Sequence, residues 1–185
     1  MAEEVRGMLD DAKIYECNMH RMYLKYAEVA EKEGYVNISR LFKALAEAKK
    51  IHLKFFFRVL HGREIESSDY SNIPEEEFLI GNTLQNIENA LKMEAHEERI
   101  AYANGMKKSL QAQQAGAFIM FNQAKLSEES HKEVLQNALK AIKSGKDLEI
   151  KTGIFVCPNC GYITIDRAPG HCPVCGIPGN QFIKF

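Results

Sequence analysis

Apolar residues recur every three or four positions over most of the first 143 residues, the spacing that lines one face of an α-helix. Four helices are predicted. The first spans about Glu3–Glu33 and stops at Glu33-Gly34-Tyr35; the second spans about Ile38–His61 and stops at Gly62. A loop over Arg63–Ile73 follows. The third helix is predicted to start near Asn72-Ile73-Pro74-Glu75, where Asn can cap, Pro suits the first turn and acids favour the positive helix end. The fourth ends near Lys143. Short connections make the first and second helices, and the third and fourth, antiparallel neighbours, while the longer middle loop can cross the bundle.

Every stripe is interrupted near its middle by a polar group. In the first helix Leu9 and Ala12 lead into Glu16, followed by Met19, Tyr23 and Ala27. In the second, Leu41, Leu45 and Ala48 lead into His52. In the third, Leu84, Ile87 and Leu91 lead into Glu94 and Glu97. In the fourth, Phe121 and Ala124 lead into Glu128 and His131. One buried Glu or His is ordinarily a satisfied hydrogen bond. Carboxylates from several helices gathered in one dry core would repel each other and resist desolvation unless a cation neutralised them. Glu128-x-x-His131 is the i, i+3 pair expected of carboxylate-bridged dimetal sites, and Glu/His donors without thiolate suit iron or manganese.

Composition changes at residue 145. Between residues 11 and 144 glycine occurs only at 34, 62, 81, 105 and 116 and proline only at 74, whereas four prolines and six glycines fall from Gly145 onward. Ser144-Gly145-Lys146-Asp147 reads as a helix stop and linker, dividing the chain into residues 1–147 and 148–185. The tail holds Cys157, Cys160, Cys172 and Cys175 in two copies of Cys-Pro-x-Cys-Gly. Two such hooks let four thiolates converge tetrahedrally on one zinc or iron ion, and a segment this short depends on that ion to fold. Two disulfides are the alternative, but nothing else in the chain looks secreted and Cys17 has no mate, so a reducing, cytoplasmic setting is expected. A net charge of −1 argues against nucleic-acid binding, and no apolar run approaches the roughly 20 residues of a membrane span.

These motifs together resemble rubrerythrin, a ferritin-like four-helix bundle joined to a C-terminal rubredoxin-like module. The likeness rests on Glu16 with Tyr23, Ala30-Glu-x-Glu-Gly-Tyr35, Ala46-Glu47-Ala48 before His52, Glu94-x-x-Glu97 with Tyr102, Glu128-x-x-His131, and the two Cys-Pro-x-Cys-Gly hooks. It implies a mainly α fold with a small β/turn domain. It further implies diiron ligands at Glu16, His52, Glu94, Glu97, Glu128 and His131, Tyr23 and Tyr102 bonded to ligating carboxylates, and one iron on the four cysteines. The implied activity is reduction of hydrogen peroxide to water in oxidative-stress protection. Electrons would arrive from a rubredoxin or an NAD(P)H-dependent rubredoxin reductase. With the two centres on separate domains, too far apart for fast transfer within one chain, a head-to-tail homodimer is expected.

One position departs from the pattern. Where the family carries a ligating Glu three residues before the His of the second helix, this chain has Lys49. An ammonium has three donors and no lone pair, so it cannot bridge metals, and Glu47 lies on the wrong face to replace it. Either Lys49 swings outward and the site is one ligand short, or it pairs with Glu16, Glu94 or Glu128 and replaces part of a metal's charge. An electron carrier or iron-binding protein with impaired diiron chemistry is therefore the alternative to the peroxidase, and an interaction protein with a structural zinc knuckle is a third reading.

Overall fold

The computed structural model describes all 185 residues. The periodic stripes form α1 (Glu3–Lys32) and α2 (Val36–His61), then a short α3 (Ser67–Ser71). The third long rod joins α4 (Thr83–His96), a π-helical turn (Glu97–Ala101) and α5 (Tyr102–Gln111), and α6 (Ala115–Lys143) is the fourth. Each buries its apolar stripe against the others, giving a ferritin-like four-helix bundle. No helix is long and apolar enough to cross a membrane.

The third rod starts later than its sequence suggests. Asn72 and Pro74 do not open it, because the carbonyls of this stretch are engaged by α1. Asn18 Nδ2 donates to the Pro74 carbonyl at 3.1 Å, and Arg21 donates to those of Tyr70, Ile73 and Pro74. The helix begins instead at Thr83, behind a capping box: Asn82 Oδ1 accepts from the Gln85 amide and Gln85 Oε1 from the Asn82 amide, both at 3.0 Å.

α6 ends where expected. Gly145, with φ of 72°, donates to the Ile142 carbonyl, and Lys146 donates to that of Ala141, the paired bonds of a left-handed helix stop. Asp147 then turns the linker back onto α2. Its carboxylate accepts from the amides of Asn37 (2.7 Å) and Ile38 (3.1 Å), supplying from 110 residues away the cap that α2 lacks locally. The Asn37 side chain donates to the Leu148 carbonyl.

So directed, the tail folds over its own bundle. A three-stranded antiparallel sheet, β1 (Ile154–Val156), β2 (Ile163–Ile165) and β3 (Ile183–Lys184) in the order β2-β1-β3, lays β1 on α2 and β2 on α6. Ile154, Val156 and Ile163 join the same buried cluster as Leu41, Leu45 and Val134. This corrects the expectation that the two centres are too distant within one chain: the capped linker and the shared apolar cluster bring the cysteine loops directly over the bundle's polar core.

Candidate metal centres

The polar residues that interrupt the four stripes meet in one buried cluster. Glu16, Lys49, His52, Glu94, Glu128 and His131 are all at most 1% exposed. Donor atoms of Glu16, His52 and Glu128 lie within 4.8 Å of one another, as do those of Glu94, Glu128 and His131, so Glu128 is common to two triads. His52 Nδ1 is 2.9 Å from Glu16 Oε1 and 3.3 Å from Glu128 Oε1; His131 Nδ1 is 3.2 Å from Glu94 Oε2 and 3.1 Å from Glu128 Oε2.

Lys49 points inward. Its Nζ is 2.8 Å from Glu128 Oε1, 3.1 Å from Glu94 Oε2 and 3.8 Å from Glu16 Oε2. Burial disfavours the ammonium, but the charges of Glu128 and Glu16 outweigh it and hold the group protonated above the usual lysine range. Glu128 responds in kind: against the penalty of burial, Lys49 and then His131 keep it ionised. Glu47 faces outward, half-buried, beside Ile51 and Lys54.

Two tyrosines brace the carboxylates. Tyr23 donates to Glu94 Oε1 and Tyr102 to Glu16 Oε1. Glu94 and Tyr102 are eight residues apart, which a regular α-helix would set about 80° apart in azimuth. The π turn, closed by the Tyr102 amide on the Glu97 carbonyl, absorbs the extra residue and returns both to the core face. Glu97 is buried but stands outside both triads. It lines a pocket of about 450 Å³ with Tyr15, Tyr102, Ala12, Ala101 and Phe121. Burial, and then the Glu16 charge, pushes its carboxyl up to about 7. Tyr15, whose hydroxyl burial and Glu97 hold protonated, is not singled out by the helical pattern, since a tyrosine beside a stripe looks like ordinary packing.

In the tail, two loops repeat one hydrogen-bond scheme. The Cys157 amide donates to Tyr162 and that of Gly161 back to Cys157, while Cys172 donates to Ile177 and Gly176 to Cys172. Gly161 (φ 75°) and Gly176 (φ 79°) occupy the left-handed positions that let each loop close. All four sulfurs fall within 4.8 Å of one another. The Cys160 thiol and the amides of Asn159 and Cys160 lower Cys157 to about 5, favouring the thiolate a metal needs.

The two centres touch through imidazole. His52 Nε2 donates to the Cys160 carbonyl (3.0 Å) and His131 Nε2 to that of Gly161 (2.9 Å). A carbonyl only accepts, so both histidines carry a proton on Nε2 and turn Nδ1 toward the carboxylates. Ser127 Oγ, 2.8 Å from His52 Nε2, reinforces this, and Ser130 Oγ accepts from the Ile163 amide; neither serine carries a signal in the sequence. A Cβ on Gly161 would lie 2.7 Å from His52 Nε2. Gly161→Ala is therefore expected to cost about 1–3 kcal/mol in denaturant unfolding, from crowding and a strained positive φ, with the visible spectrum of the loaded cysteine site unchanged.

The donors fit metal in both places. Four converging sulfurs with neighbouring amides suit one tetrahedral iron or zinc. In the bundle, two Nδ1 atoms aimed at carboxylates, together with a fully buried Glu16 Oε2 that has no hydrogen-bond partner, suit an oxygen- and nitrogen-ligated cation.

Two family models match the chain. Residues 7–139 match the family model described as rubrerythrin, and residues 155–183 match that of the rubrerythrin rubredoxin-like domain. Rubrerythrin-2 of Clostridium acetobutylicum is 32% identical over 166 residues, covering 90% of this chain and 88% of that protein. The rubrerythrin of Porphyromonas gingivalis is 32% identical over 162 residues, covering 86% and 79%. A nigerythrin structure in its mixed-valence state superposes with a TM-score of 0.86 at 25% identity, covering 100% of this chain and 88% of its own.

Proposed function

The chain belongs to the rubrerythrin family, and on that premise we propose that it is a peroxidase reducing hydrogen peroxide to water, with electrons passing from the cysteine site (residues 148–185) to the bundle site (residues 1–147). The family's two sites, the bundle diiron site and the rubredoxin-like four-cysteine site, correspond to the two clusters above. The observation that carries the proposal is the pair of hydrogen bonds from His52 and His131 to the backbone of Cys160 and Gly161. They give a through-bond route a few atoms long between the centres, inside one chain.

Peroxide reduction consumes two electrons and two protons and yields two waters; bound iron would supply the electrons in single steps. The residues supply the rest. Glu16, His52, Glu94, Glu128 and His131 would hold the metal, with Glu97 at the pocket side. Tyr23 and Tyr102 fix the carboxylates they bond. The pocket between α1 and the third rod leads from the surface to Glu97 and Tyr102, and admits a molecule of peroxide size with room to spare. Glu97, poised near neutrality, can hold a proton at its carboxyl and release it toward a departing oxygen. A rubredoxin, or an NAD(P)H-dependent rubredoxin reductase, would deliver electrons at the cysteine loops, in a cytoplasmic role against oxidative stress. Because the contact is internal, turnover per chain is expected not to fall on dilution, with no need of a head-to-tail dimer.

Lys49 favours a second reading, an electron carrier or iron-binding protein, because its ammonium already lies against three of the carboxylates. Mixing the anaerobically reduced full chain with stoichiometric peroxide separates the two. Rapid oxidation of both centres supports the peroxidase; a bundle metal that stays reduced for minutes supports the carrier and removes the peroxidase.

A further inference from the structure

We propose that the Lys49 ammonium takes the place of one of the bundle's two cations, so that the bundle holds a single divalent ion, on the Glu16–His52 side of Glu128. Glu16, Glu94, Glu97 and Glu128 are buried, and the only buried ammonium among them is Lys49. Four carboxylates and one ammonium leave three negative charges, or two if Glu97 is protonated. One divalent ion leaves the cluster near neutral; a second would leave a buried excess of positive charge with no counter-ion, an arrangement desolvation penalises heavily. The family pattern gives the same count: a Glu at position 49 would add one negative charge where Lys49 adds one positive, and that difference of two equals one divalent ion.

Geometry selects the position. Lys49 is within hydrogen-bond distance of Glu94 Oε2 and of Glu128 Oε1, the oxygen that also faces His52, so Glu94 and Glu128 already share a cation while Glu16 has none as close. Toward Glu16 the same nitrogen stands off at 3.8 Å, and Glu16 Oε2, fully buried, has no hydrogen-bond partner. A carboxylate that meets the His52 Nδ1 through Oε1 and keeps Oε2 unsatisfied is a ligand that a metal would complete; Glu94 and Glu128 keep no such oxygen. Lys49 projects from α2 one turn before His52 and is fully buried.

The count is measurable without any assay of activity. The full chain is loaded anaerobically with excess ferrous iron, desalted and analysed for metal, and the iron is placed by anomalous scattering in crystals. The expected result is one bundle ion beside Glu16 and His52, in addition to the ion on the four cysteines; after oxidation it gives the EPR signal of an isolated ferric ion, not the silence of a coupled pair. Lys49→Glu and Lys49→Met are both expected to gain a second bundle ion, the Met variant more weakly. Two bundle ions in the native chain, an ion on the His131 side only, or an empty bundle would each overturn the proposal. A Lys49→Met variant that still takes one ion would also overturn it, by showing that the missing carboxylate and not the ammonium sets the number.

Discussion

Lys49→Met, made in the metal-free protein, is expected to lower the unfolding free energy by about 3–5 kcal/mol, the range for removing one partner of a buried ion pair. Few single changes elsewhere in the bundle should approach this. Met matches the length of the lysine stem and fills its volume, so the loss isolates charge from packing. What remains is Glu94 and Glu128 facing each other without the ammonium that separates them at 3.1 and 2.8 Å. Urea unfolding of apo native and apo variant protein measures the difference. Added ferrous or manganous ion should restore most of it to the variant, because a cation can then enter where the ammonium stood. A variant as stable as the native apo protein would mean that these carboxylates protonate instead of repelling, and that Lys49 contributes little.

The second large effect lies in the tail. Cys160→Ala with Cys172→Ala is expected to unfold residues from about 150 onward while leaving the bundle helical. The sheet has only three short strands, and coordination energies of about 10–16 kcal/mol are typical of small folds built around a tetrahedral metal. Ile154, Val156 and Ile163 provide some independent hold on the bundle, but the strands that carry them end in the cysteine loops. Limited proteolysis checks the outcome: cleavage should fall within the tail and release a protected fragment of bundle length, with the far-ultraviolet helical signal nearly unchanged. Electron delivery from an external reductant should be lost at the same time. A tail that stays protease-resistant would show that the apolar contact with α2 and α6 is enough to fold it.

Much of this architecture is legible from residue spacing. The four stripes, the polar groups that break them and the paired cysteine hooks depend on short-range periodicity, which survives in any sequence that must bury one helix face. What spacing does not carry is the position of breaks that tertiary contacts decide. The third rod begins at Thr83 because Asn18 and Arg21 hold the preceding carbonyls, an interaction across more than fifty residues. The Asn82-x-x-Gln85 capping box is present in the sequence, but Asn72-Ile-Pro-Glu75 looks like the stronger start. The π turn leaves no mark, since one inserted residue shifts a pattern without erasing it. The inward aim of Lys49 is one of two choices in the sequence and is settled only by the packing of α2, which leaves its side chain fully buried. Docking of the tail departs from expectation for a related reason: its direction is set by Asp147, which reads as an ordinary linker acid until the bare N-terminus of α2 lies beside it.

That same aspartate makes the two halves unequal when they are cut apart. A fragment ending before residue 147 would lose not only the four-cysteine module but the only carboxylate capping α2, together with the carbonyl acceptors that hold two imidazoles in one tautomer. Such a truncated bundle would carry a frayed helix start and rotatable histidines, and its metal affinity would describe a different molecule. The module behaves less like a passenger than like the missing wall of the chamber it serves.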